Sequence, residues 1–99
     1  MDNRADPTIF QRGQHLQLRI YITQHCANCR EALTIAQLAR QIRGLEVCVI
    51  DLEESDQEVP DAVVGVPTYL LNESIVSLGN PRREEFLLQL QNKLKEGKP

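Results

Sequence analysis

No apolar run in the chain approaches the roughly 20 residues that a bilayer crossing requires, so a membrane-spanning helix is not expected. Base is not in excess either. The formal charge is −3, whereas a nucleic-acid or acidic-membrane partner calls for a basic footprint. Met1 to His15 is polar and lacks the apolar stretch of a secretory signal, which leads to the expectation of a cytoplasmic protein. Internal repeats and low-complexity segments are missing. Cysteine is scarce at three, an odd number, and in a reducing compartment closely spaced cysteines serve redox or metal chemistry more often than structural pairing.

What remains is an ordinary globular composition. The 99 residues are 41% hydrophobic and 25% charged, enough for one core without staples, and nothing in the length demands oligomerisation. A monomer is the expectation. Residues 1–15 mix charge, Pro7 and Gly13 without periodicity and read as a flexible arm, which leaves a domain over residues 16–95. The six acids Asp51, Glu53, Glu54, Asp56, Glu58 and Asp61, with no base among them, read as a solvated loop.

From Leu16 the pattern alternates, with Leu16, Leu18, Ile20 and Ile22 on one side and Gln17, Arg19, Tyr21 and Thr23 on the other, as in a strand. From Cys26 to about Arg43 the apolar residues recur at helical spacing, with Cys29, Leu33 and Ala36 in one line beside Ala32, Ile35, Ala39 and Ile42. Gly44 supplies a stop. Leu45 to Leu52 is nearly all apolar, as a strand covered on both faces should be. The unit is therefore β-α-β with parallel strands. Tyr69 to Asn72 and Ile75 to Leu78 around Glu73-Ser74 predict a hairpin. Asn80 as cap, Pro81 at the first helical position, and the stripe Phe86, Leu87, Leu90 and Leu94 predict a final helix. The order β-α-β-β-β-α predicts an α/β fold with a four-stranded mixed sheet in order 2-1-3-4, both helices in one layer.

Cys26-Ala27-Asn28-Cys29 falls where the first strand gives way to the first helix. A helix start presents unpaired N–H groups and the positive end of the dipole, which stabilise a thiolate at Cys26. Cys29, a turn later, lies on the buried face. One thiol is then poised to attack, and the other to resolve the mixed disulfide.

The strand-CxxC-helix unit, followed by Val66-Pro67-Thr68 leading into a hairpin and a last helix, resembles the thioredoxin/glutaredoxin superfamily over about residues 16–95. The resemblance implies a thioredoxin-like fold and thiol–disulfide exchange within cellular redox homeostasis and electron transport. It implies no cofactor. It makes Cys26 and Cys29 catalytic, gives Pro67 a cis peptide bond facing the pair, and gives Val66 a backbone that pairs with substrate, so Val66, Pro67 and Thr68 are the substrate-binding residues. The implied partners are protein disulfides and a reductant, either a reductase or glutathione. Thioredoxins usually carry Trp before the first cysteine, where this chain has His25.

His25 and Arg30 flank the pair and are candidate modulators of the Cys26 thiol. Cys48 lies mid-strand, several residues of about 3.3 Å below the strand end, and reads as an inert core thiol out of disulfide reach. A structural zinc site needs about four ligands. Only His25 and His15 stand near the pair, so no metal site is expected. Two alternatives stay open: an iron–sulfur cluster shared between two copies, and a non-enzymatic module that uses the same face to hold a partner.

Overall fold

The computed structural model describes residues 16–54 and 58–96. The arm expected over residues 1–15 lies outside them, as does part of the acidic stretch. The elements are β1 (Leu16–Ile22), α1 (Cys29–Ala39), β2 (Leu45–Asp51), β3 (Thr68–Leu71), β4 (Ser74–Leu78) and α2 (Arg83–Glu96). They form one four-stranded sheet in order β2-β1-β3-β4. β1 runs parallel to β2 and antiparallel to β3, which is antiparallel to β4. This is the expected topology.

Alternation along β1 decides where the core sits. Leu16, Leu18, Ile20 and Ile22 are buried against Ala32, Ile35, Ala36 and Ala39 of α1 and Phe86 and Leu90 of α2, so both helices cover the same face. Alanines on α1 bring its backbone close to the sheet, and each fully buried Leu or Ile contributes about 1.5–3 kcal/mol relative to exposure. Tyr69 from β3 meets Phe86 edge-on with ring centroids 5.2 Å apart, a favoured aromatic geometry. The opposite face carries a smaller cluster of Tyr21, Ile50 and Leu70, with Leu52 and Val63 packed on it.

Four expectations need correction. α1 begins at Cys29 rather than Cys26 and ends at Ala39; Cys26 and Ala27 form the turn that precedes it, and the positive φ of Gly44 serves the turn into β2. Leu33 does not join the apolar line but is 45% exposed, because the buried stripe is set by Cys29, Ala32, Ile35, Ala36 and Ala39. β2 is an edge strand and is covered chiefly on its α1 side, so its far face is half-buried. Cys48 lies on that far face, opposite Arg19. It is a free, partly exposed thiol that accepts a hydrogen bond from the Gln17 side chain at 3.6 Å, and not a core residue.

The hairpin and last helix shift by small steps. The turn falls at Asn72-Glu73, with Asn72 at φ 54°, a left-handed conformation that asparagine tolerates better than most residues. α2 starts two residues beyond Pro81, and the Arg82 carbonyl accepts from Phe86 N–H. Asn80 therefore does not cap the helix.

Candidate active site

Residues 23–28 connect the end of β1 to the start of α1 across the sheet's carboxyl-end rim. Cys26 and Cys29 are paired as a disulfide with Cα atoms 5.3 Å apart, and Cys29 N–H donates to the Cys26 carbonyl at 3.1 Å. The two thiols sit differently: Cys29 is 3% exposed within the core under α1, while Cys26 is only partly buried. Asn28 occupies the N-cap position, yet its side chain makes no capping bond. The Asn28 side chain therefore does not compete for the first-turn N–H groups, which suits a helix start that stabilises a thiolate.

An open groove of about 540 Å³ runs along the α1 and β2 side of the pair, lined by His25, Cys26, Cys29, Arg30, Leu33 and Asp51 among others. His25 and Arg30, both exposed, line this groove. Asp51 closes β2 in register with Ile22, so it lies on the helix side of the sheet rather than in a solvated loop. Beyond it, Gln24 N–H donates to Glu53 and the Gln24 side chain donates to Glu54, which ties the acidic segment to the loop ahead of the cysteine pair.

The other wall is the start of β3. The Val66-Pro67 peptide bond is cis, and the pairing of Tyr21 with Thr68 puts the beginning of β3 beside the end of β1. Val66 is half-buried and Pro67 buried. Thr68 is 1% exposed and its hydroxyl donates to the Gly65 carbonyl at 2.6 Å, so its side chain shapes the loop from within.

A third segment, the turn between β4 and α2, holds both walls. Gly79 N–H donates to the Pro67 carbonyl at 2.8 Å. The Asn80 amide donates to the Asn28 carbonyl at 2.7 Å and accepts from the Tyr69 hydroxyl at 2.8 Å. Arg83 donates to both carboxylate oxygens of Glu31 at 2.7 Å. Those bonds hold the Glu31 carboxyl below the usual carboxylate range and raise the Arg83 guanidinium. Burial pushes the Tyr69 hydroxyl well above its ordinary value, with the Glu31 charge adding to it. Sequence reasoning missed this turn's role, because the bonds connect segments far apart in the chain. Among the described residues no three His, Cys, Asp or Glu side chains converge on a metal-sized site.

A family model described as a thioredoxin domain matches residues 16–92. The chain belongs to the thioredoxin domain family. Among solved structures it is similar to the thioredoxin of Fasciola hepatica, at 19% identity and a TM-score of 0.59, over 90% of this chain and 86% of that one. That likeness shows the shared fold. No curated protein matches the chain. A thioredoxin domain with a cysteine pair at disulfide distance on its rim supports a thiol-redox role. No helix among the described residues is long and apolar enough to cross a membrane.

Proposed function

We propose that the protein is a thiol–disulfide oxidoreductase in which Cys26 attacks disulfides of protein or small-thiol substrates and Cys29 resolves the product. The observation that carries this reading is the asymmetry of the pair. Cys26 lines the groove ahead of an uncapped helix start, and Cys29 is buried as the first residue of α1. In the reducing direction the Cys26 thiolate forms a bond to one substrate sulfur and expels the other as a thiolate. Cys29 then gives up its proton and attacks the Cys26 sulfur, which expels the second substrate thiolate. Two electrons pass to the substrate, its thiolates take up the protons, and the Cys26–Cys29 disulfide remains. A reductase or glutathione restores the dithiol in a reducing cytoplasm.

The pairing of Tyr21 with Thr68, which brings the start of β3 beside the end of β1, supports a substrate chain laid along Val66 that presents its disulfide to Cys26. His25 and Arg30 bring nitrogen donors to the groove beside that sulfur, where positive charge favours the thiolate.

The test is a disulfide-reduction assay together with alkylation of the reduced protein. An ordinary thiol at pKa about 8.5 is roughly 3% thiolate at pH 7, against about half at pKa 7. Cys26 is expected to alkylate first, with a midpoint below 8, and Cys29 slowly. Cys29→Ser should accumulate mixed disulfides and Cys26→Ser none. Faster alkylation of Cys29, or full turnover by both variants, contradicts the assigned roles. No turnover from a chain whose Cys26 is reactive would instead favour the module that holds partners without turning them over.

A further inference from the structure

We propose that Asn80, held by Tyr69, is a positioning residue for the redox turn: it anchors the Asn28-Cys29 peptide and thereby sets how well the helix start stabilises the Cys26 thiolate. The inference rests on the exchange chemistry proposed above, but its measurement does not depend on turnover.

The bonding pattern dictates its own orientation. A backbone carbonyl accepts and cannot donate, so the Asn80 group facing the Asn28 oxygen at 2.7 Å is the NH₂. The amide oxygen then faces Tyr69, and the Tyr69 hydroxyl at 2.8 Å is the donor. Hydroxyl, amide and carbonyl form a chain that runs from β3 to the midpoint of the CxxC turn.

The anchored carbonyl belongs to the peptide whose other end is the Cys29 N–H. A peptide unit is planar, so a bond that fixes its C=O also fixes the direction of its N–H. That N–H donates to the Cys26 carbonyl at 3.1 Å in the oxidised form and so closes the turn that carries the Cys26 sulfur. The turn has few other supports: Ala27 and Asn28 are exposed, and the Asn28 side chain makes no cap. Donation to the Asn28 carbonyl also polarises the peptide and makes its N–H a better donor, since linked hydrogen bonds strengthen one another.

Tyr69 suits the task as a fixed point. It is fully buried against Phe86, and its raised pKa keeps the hydroxyl protonated, and so a donor, across the working pH range. Tyr69 follows Pro67 by two residues, so the same strand that carries the cis proline steadies the cysteine turn through Asn80. The two walls of the site are thereby braced against each other.

The experiment compares the pH midpoint of Cys26 alkylation in the reduced full chain and in four variants. Asn80→Ala is expected to raise the midpoint by about 0.5–1 unit, roughly two- to fivefold less thiolate at pH 7 from a midpoint near 7, the size expected when one protonation state loses a hydrogen-bonded support. Tyr69→Phe, which keeps the ring packing, should raise it by less. The double variant should go no further than Asn80→Ala, because both residues act through one bond to Asn28. Leu90→Ala, which weakens the core beneath α2 and leaves the Tyr69–Asn80–Asn28 bonds in place, should leave the midpoint unchanged and so separate positioning from general loss of stability. An unchanged midpoint in Asn80→Ala, additive shifts in the double variant, or an equal shift in Leu90→Ala overturns the proposal. Wild-type turnover is scored separately, so a chain without exchange activity contradicts the proposed function and leaves this comparison intact.

Discussion

At Glu31, two residues past the buried cysteine, a carboxylate sits in the first turn of the helix that, in the proposed function, stabilises a thiolate. Arg83 meets it with two parallel bonds and offsets a negative charge that would oppose the proposed thiolate at Cys26. The Glu31 pKa is lowered, first by the Arg83 hydrogen bonds. A lowered folded-state value means that the pair's stabilisation is present above the unfolded value near 4.5 and is lost as pH falls through the folded one. Because the pair is open to solvent, the gain in stability is small. A carboxyl titration followed by NMR should place Glu31 below the ordinary glutamate midpoint, and Arg83→Met should return it to that value. No movement on losing Arg83 would show that the pair does not persist in solution. Residue-level legibility divides along the same line. The pairing of Cys26 with Cys29 was readable because the two lie one turn apart, whereas Asn80 bonds to residues 11 and 52 positions distant and looks in sequence like any helix cap.

Element types were legible where the apolar period was unambiguous, as in β1, and element ends were not. The reason is visible in α1: its heptad-like spacing includes Leu33, but the sheet accepts only the narrower stripe through Ala32, Ala36 and Ala39, and Leu33 turns outward beside the redox groove. The hairpin turn moved to Asn72-Glu73 for a similarly local reason. Asn72 adopts φ 54°, its side-chain oxygen accepts the Gln17 N–H at 2.9 Å, and its own N–H donates to the Gln17 carbonyl at 2.8 Å. Asn72→Ala loses the side-chain bond and must carry a Cβ in the left-handed region, so it should cost about 2 kcal/mol. Asn72→Gly relieves the backbone term alone and should recover part of that loss. Urea denaturation of the three chains checks the order; a glycine variant weaker than the alanine variant would refute the account of the turn.

Over the whole molecule, topology was readable because the connections allow few choices: a short β-α-β unit makes β1 and β2 parallel neighbours, and a tight hairpin sets β3 against β4. The uneven coverage of the two sheet faces was not readable, since the near-continuous apolar run from Leu45 to Leu52 looks buried on both sides while only one side receives helices. That unevenness predicts where the fold is weakest to substitution. Leu90 is fully buried between α2 and the sheet in the large cluster, whereas Ile50 is 9% exposed on the face covered by Val63 and its neighbours. Removing most of a side chain costs its transfer free energy plus a cavity term, about 2–5 kcal/mol for Leu or Ile to Ala, and less where the surroundings can collapse or admit water. Leu90→Ala should therefore fall near the upper part of that range and Ile50→Ala near or below its floor, a large and a modest share of a total stability of about 5–15 kcal/mol. Both are measured as urea midpoints in the oxidised chain, so that the disulfide is held constant. Unchanged m-values with the larger midpoint shift at Leu90 support a one-sided core. An equal or larger shift at Ile50 would mean that the face away from the helices carries as much of the fold as the face beneath them.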